Sequence, residues 1–356
     1  YPARHIEIQV VADGSGGITH LWERDCSIQR RHQKLIEIAP SPMLSAALRE
    51  QLAADAVRLA ASTGYRGLGT FEFLVGADAA TDSGGWYAFI EANPRLQVEH
   101  TITEEVFGVD LVKVQLRIAA GSTLADLGLD APAIPRGTAM QLRINSETIG
   151  PDAVVRPSTG TLERFEPPSG IGVRVDTAAF AGQQLSPAFD SLLAKVIVHT
   201  SSGAFSETTA RAIRALREFT IDGVQTNIAF LQSIINHHLF QRSEVTTTFV
   251  DDHIGELVPL ALQAPQGSSP SVHQRETPPR TGDSAGAPSG HTAGARVDAA
   301  DPLAVLDYGQ RQRPQSASAA HPYETAAGAV VAPMQSTIIS FEVQVGDVGR
   351  AGHEVA

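Results

Sequence analysis

The sequence predicts an α+β fold, and three observations carry that reading. Strand-like alternation opens the chain, two amphipathic helical stretches sit between strand-like segments without the regular rhythm of a doubly wound sheet, and short strands with turns take over after Pro135.

Taken in order, residues 5–10 alternate His-Ile-Glu-Ile-Gln-Val, which puts His5, Glu7 and Gln9 on one face and Ile6, Ile8 and Val10 on the other. Asp13-Gly14-Ser15-Gly16-Gly17 reads as a turn. Ser41-Pro42 signals a helix start, and Leu44, Leu48, Leu52, Ala56, Leu59 and Ala60 recur at helical spacing until Gly64. Phe71-Glu72-Phe73 alternates as a half-buried strand, with Trp86–Ile90 as the returning strand after a loop at 78–85. The spacing around Val106, Val109, Leu111, Val114, Leu116 and Ile118 predicts one helix over about 104–120, ending at Gly121. The module after Pro135 contains strands at 139–144, 160–165, 172–175 and 192–199. Two closing helices follow, capped by Ser206 and Thr226. Residues from about 263 to 325 are rich in Pro, Gly, Ser, Ala and Gln and read as a linker, after which 329–356 resumes strand-like alternation.

The composition is that of an ordinary globular protein: 356 residues, 42% hydrophobic and 19% charged. A net charge of -12 argues against general nucleic-acid binding, which needs a basic face. One cysteine, Cys26, excludes an internal disulfide and a cysteine-based zinc cage, and fits a reducing compartment. No apolar run approaches a membrane span and no secretory signal is present, so the expectation is a cytoplasmic protein without membrane partners. The chain enters and leaves inside patterned segments, so the expectation is a piece of a longer protein.

The chemistry concentrates at Glu91-Ala-Asn-Pro-Arg-Leu-Gln-Val-Glu-His100. An extended backbone would place Glu91, Asn93, Arg95, Gln97 and Glu99 on one face, although Pro94 can bend it. The midpoint of 72 and 91 falls in the 78–85 loop, so Glu72 and Glu91 become cross-strand neighbours in the simplest antiparallel hairpin. Two facing carboxylates repel unless a cation lies between them, and oxygen ligands of this kind suit magnesium or manganese bridging to phosphates. The plainer reading is a solvated hairpin with the acids splayed outward. Arg24–Lys34 gathers cations and amides in an otherwise acidic protein, as a phosphate or bicarbonate site needs; the plainer reading there is a solvated basic loop. His5, with Glu7 on its face, could hydrogen-bond a nucleotide.

Together, residues 4–10, 24–34, 69–73, 91–100, 172–174 and 223–227 resemble the biotin carboxylase component of biotin-dependent carboxylases, an ATP-grasp enzyme, over residues 1–250. The resemblance implies that Glu72 and Glu91, with Asn93, hold divalent metal on ATP, with His5, Gln29 and His32 also at the nucleotide. It implies that Lys34, Arg95 and the backbone of Val98 bind bicarbonate, and that Glu99 is the general base that activates it toward the γ-phosphate. Arg95 and Arg174 would stabilise the negative oxygen that develops on biotin; without the resemblance Arg174 reads as a strand-surface arginine. The tail from Ala332-Pro333-Met334 to Gly352 is similar to the start of a biotinyl carrier domain, with the biotin-bearing lysine expected beyond Ala356.

The implied domains are the C-terminal part of an ATP-grasp domain (1–135), a biotin carboxylase C-terminal domain (136–254), a flexible linker (255–325) and a truncated biotinyl barrel (326–356). The implied cofactors are ATP, Mg2+ or Mn2+, and biotin. The implied partners are bicarbonate, a biotinyl carrier domain, a carboxyltransferase component and, as in relatives that dimerise, a second copy. The expected reaction is ATP-dependent carboxylation of carrier-bound biotin for an acetyl- or propionyl-CoA carboxylase of fatty acid metabolism. Pyruvate or urea carboxylase, a carbamoyl-phosphate synthase-like ligase, and a non-catalytic assembly fragment are the alternatives. The resemblance also predicts little activity for the chain alone, because no Rossmann-like domain or glycine-rich lid precedes Tyr1.

Overall fold

The computed structural model describes residues 2–77, 86–131 and 133–263. The 78–85 loop, most of the expected linker and the whole expected biotinyl segment lie outside the described residues.

An eight-stranded, wholly antiparallel sheet organises them. Its strands are β1 (Ala3–Ala12), β2 (Ile18–Arg30), β3 (Gln33–Ala39), β4 (Gly67–Gly76), β5 (Tyr87–Asn93), β6 (Thr138–Asn145), β7 (Val173–Thr177) and β8 (Leu192–Thr200). They lie in the order β7-β8-β6-β3-β2-β1-β4-β5. The helices that position the site are α1 (Ala46–Ser62), α2 (His100–Phe107), α3 (Leu111–Ala119), α4 (Phe205–Glu218), α5 (Ile228–Asn236) and α6 (Ile254–Gln263).

Period-two alternation gives the sheet two unlike faces. Ile6, Ile8 and Val10 of β1 and Phe71, Phe73 and Val75 of β4 pack on Leu48, Leu52 and Ala56 of α1. On the same principle Ile36 and Ile38 of β3 and Met140, Leu142 and Ile144 of β6 join the large core built with α4, α5 and α6. The intervening residues Glu7, Gln9, Glu37, Thr70, Glu72 and Gln141 are also buried, and form a polar stripe. Helix α2 seals part of that stripe: Ile102 and Val106 pack on Ala39, Ala139 and Ile197, while Thr101 and Thr103 hydrogen-bond into it.

Several expectations shift. The chain does form strands at both sides of Pro135, but β6 pairs with β3, so the sheet runs through the 135/136 boundary and the second module is not a separate sheet. The expected helix over 104–120 is two helices, because Gly108 takes a left-handed φ of 66° and Asp110 caps the second by accepting from the Lys113 backbone N–H. Helix α1 is capped by Ser45, whose hydroxyl accepts from the Leu48 N–H; Ser41 instead is buried and donates to Asp25. Asn227, not Thr226, precedes α5, and its side-chain amide clips the helix to β6 through Asn145 and Arg143 backbone groups. Residues 255–263, assigned to the linker, are helical in α6 because Leu257, Val258 and Ala261 bury against the core.

Candidate active site

Strand register supplies the first geometry. Glu72 of β4 lies opposite Glu91 of β5 and, on its other side, opposite Glu7 of β1, while Thr70 faces Asn93. The expected strand does not continue through Pro94: β5 ends at Asn93, and the Arg95 N–H turns back onto the Asn93 carbonyl. Arg95 is therefore exposed, with side-chain contacts to Asn93 Oδ1 and the Leu96 carbonyl. Among the described residues it makes no hydrogen bond or ion pair with Glu99, although an extended ribbon would put the two on one face. Gln97 and Glu99 nevertheless turn inward and are buried.

Glu72 is the meeting point of the acidic end. Its Oε1 accepts from Asn93 Nδ2 and Gln97 Nε2, both at 2.8 Å, and its Oε2 from His5 Nε2 at 2.5 Å. The same Asn93 amide donates to Glu91 Oε1 at 2.8 Å. One amide thus bridges two carboxylates, and Glu91 is exposed with Asn93 as its hydrogen-bond partner. Carboxylate oxygens of Glu72 and Glu91 that share one amide are hard donors of the kind a divalent cation takes, while the Asn93 oxygen faces Arg95 and would join them only if the amide turned over.

Glu99 is the meeting point of the other end. Lys34 Nζ donates to Glu99 Oε1 at 2.5 Å and to Glu7 Oε2 at 2.7 Å, and Arg143 donates to Glu99 Oε2 at 3.0 Å. Arg143 is itself held by Glu37 at 2.5 Å, and Glu37 also accepts from Gln141. Beneath both ends Arg24, with no exposed surface, spends its donors on Glu7, Gln9, Thr103, Thr70 and Gln97.

These contacts fix the charge states. Burial opposes ionisation of Glu7, yet Arg24 and Lys34 outweigh it and hold the carboxyl at about 2 instead of 4.5. Burial likewise opposes Glu72, but the His5 hydrogen bond and the Lys34 charge bring it to about 2. Burial works against the Lys34 charge too, and the surrounding Cys26, Glu7 and Glu99 raise its pKa nonetheless. Burial alone would raise Glu37, and does so against the pull of Arg143.

Depressed carboxylate pKa values mean that the unfolded chain binds those protons more readily. The stability from Glu7 and Glu72 is complete above about pH 4.5 and lost as pH falls toward about 2. Urea midpoints should drop across that window, and less steeply in Glu72→Gln; equal slopes would contradict the charge assignment.

The other expected residues scatter around this cluster. Gln29 is buried opposite Lys34 in the β2–β3 pair. His32 is exposed at the tip of a two-residue turn in which Arg31 and His32 take φ of 47° and 66°, the left-handed pair such hairpins require. The Val98 carbonyl accepts from Lys195 Nζ at 3.1 Å. Lys195 also pairs with Asp176, which grips Arg174 through both carboxylate oxygens, at 2.8 and 3.0 Å. Arg174 further binds Glu104 and Glu105 and lines a cavity of about 660 Å³ with His100, Val109 and Val112. The sequence reading missed Arg24, Glu37, Arg143 and Lys195 as organisers. The alternation of Gln141 and Arg143 with Leu142 and Ile144 was the available signal for one of them.

Comparison with known proteins agrees with this architecture. The carbamoyl-phosphate synthase L chain ATP binding domain matches residues 2–127, and the biotin carboxylase C-terminal domain matches residues 141–252. The chain carries part of a biotin carboxylase domain, the ATP-dependent ligase part of biotin-dependent carboxylases. Pyruvate carboxylase 1 of Caenorhabditis elegans is 49% identical over 252 residues, 70% of this chain and 21% of that protein. The biotin carboxylase domain of a single-chain bacterial carboxylase superposes with a TM-score of 0.67 at 50% identity, covering 73% of this chain and 58% of that one. A single-chain, multi-domain long-chain acyl-CoA carboxylase gives 0.67 at 48% identity, covering 74% and 27%. This biotin carboxylase chain thus spans about a fifth of the length of the pyruvate carboxylase it matches. Among its described residues, no helix is long and apolar enough to cross a membrane.

Proposed function

We propose that this biotin carboxylase region activates bicarbonate with ATP and passes the carboxyl group to carrier-bound biotin, in a pyruvate carboxylase. The observation that carries the chemistry is Glu99, buried and clamped between Lys34 and Arg143, with the Lys34 Nζ also 3.7 Å from Glu72. Bicarbonate that draws the Lys34 ammonium to itself frees Glu99 Oε1 to take the bicarbonate proton, while Arg143 keeps hold of Oε2. The deprotonated oxygen then attacks the γ-phosphate of ATP, giving carboxyphosphate and ADP. Glu72 and Glu91 would hold a divalent cation, which when bound would neutralise charge on the phosphates. His5 and Gln97 hold Glu72 in place for that task, and Gln29 and His32 lie on the hairpin that presents Lys34. Arg174, oriented by Asp176, offers a guanidinium in the cavity beside α2, and the exposed Arg95 supplies a second near Asn93. Both suit the developing negative oxygen of the biotin ring.

Support for pyruvate as final acceptor comes from the 49% identity to pyruvate carboxylase 1, which displaces the acetyl- or propionyl-CoA acceptor expected from sequence. An acyl-CoA acceptor stays as the second reading on the 48% identity to a long-chain acyl-CoA carboxylase. The site test places this sequence in the matching segment of the C. elegans pyruvate carboxylase 1 and measures ATP cleavage. Dependence on bicarbonate and stimulation by free biotin are expected; ammonia dependence without biotin stimulation would reject the reading. Assaying the full-length gene product with pyruvate against acyl-CoA separates the two acceptors.

A further inference from the structure

Arg30 and Arg31, at the end of β2, line a cavity of about 440 Å³ with Gln33, Ser158, Ser186 and Glu147. No member of the carboxylate cluster lines it. The Arg30 Nε is completely buried and has no hydrogen-bond partner. Arg4 has a similarly placed Nε, but its two other nitrogens are tied to Asp25 and the Ser243 carbonyl. Among the described residues neither Arg30 nor Arg31 makes a side-chain hydrogen bond or an ion pair. A buried guanidinium nitrogen without a partner carries a desolvation cost that a ligand oxygen would remove.

The walls favour an anion. Ser158 Oγ accepts from the Gln225 N–H and Ser186 Oγ from the Ala188 N–H, so each hydroxyl keeps its own proton to donate. The two acids present are occupied elsewhere: Glu147 accepts from Asn145, and Asp190 accepts from the Leu192 N–H. Neither forms an ion pair with the arginines. Burial lowers the Arg30 pKa, Glu147 and Asp251 oppose that shift through their charges without forming an ion pair, and the neighbouring Arg31 adds to it.

We propose that this cavity is a second anion site, in which Arg30, Arg31 and the Ser158 and Ser186 hydroxyls bind the phosphate or carboxylate group of a small molecule. Since the hairpin that carries Arg30 and Arg31 also carries Gln29 and Lys34, occupancy is positioned to be felt at Glu99.

Calorimetric titration of orthophosphate into the full chain tests the assignment. The paired Arg30→Gln, Arg31→Gln variant and, separately, Ser158→Glu, which puts a carboxylate into the wall, should each weaken phosphate by at least about tenfold. Arg95→Ala should leave this binding unchanged. Absence of binding to the intact chain, unchanged binding in Ser158→Glu, or loss confined to Arg95→Ala would overturn the proposal. Acetate that displaces phosphate assigns a carboxylate ligand, and failure to displace assigns a phosphate; either outcome supports the site.

Discussion

Arg24→Met lowers stability by about 3–5 kcal/mol, the cost of breaking a buried ion pair by removing one partner. Arg24 has no exposed surface, and its guanidinium is shared among Glu7, Gln9, Thr70, Gln97 and Thr103. Methionine approximates its volume, so the loss comes chiefly from stranding Glu7, which is left in the interior with Lys34 as its one remaining ion-pair partner among the described residues. For a domain of this size the thermal midpoint should fall by roughly 10 °C. Adding Glu7→Gln to Arg24→Met should recover part of that loss, because no unpaired carboxylate remains. A double variant as unstable as the sum of the singles would show that packing, not charge, makes Arg24 indispensable.

The second large effect is on catalysis. Glu99→Gln should lower bicarbonate-dependent ATP cleavage by about 10²–10⁴-fold, the usual contribution of a positioned general base. An amide cannot take the bicarbonate proton, and its NH2 would face either the Lys34 ammonium or the Arg143 guanidinium. Nucleotide affinity should change little, since the acidic end around Glu72 and Glu91 is held by His5, Gln97 and Asn93 and not by Glu99. Retained cleavage with wild-type bicarbonate dependence would remove Glu99 from the base role.

Local periodicity explains which of these residues could be read from sequence. His5, Glu7 and Gln9 share a face because a strand alternates, and Glu72 meets Glu91 because a hairpin folds about its midpoint; both need only neighbouring residues. The Glu91–His100 ribbon misled in part, since Pro94 ends the strand and sends Arg95 outward while Gln97 and Glu99 return to the interior. Long-range contacts were not legible. Arg143 reaches Glu37 across 106 positions, and Arg24 reaches Thr103 across 79. Both require knowing that β6 docks beside β3 and that α2 covers the polar stripe. The helix break at Gly108 was readable in principle from the glycine and Asp110, but the apolar spacing of Val106 to Ile118 runs straight through it.

The proposed chemistry needs a divalent cation seated between Glu72 and Glu91. Anomalous diffraction from crystals of the chain grown with Mn2+ and ADP measures this directly. A manganese peak within about 2.0–2.6 Å of carboxylate oxygens from both residues is the predicted result. A peak at His5, Glu7 and Glu72, whose ligand atoms lie within 4.8 Å of one another, with Glu91 turned away, would contradict it.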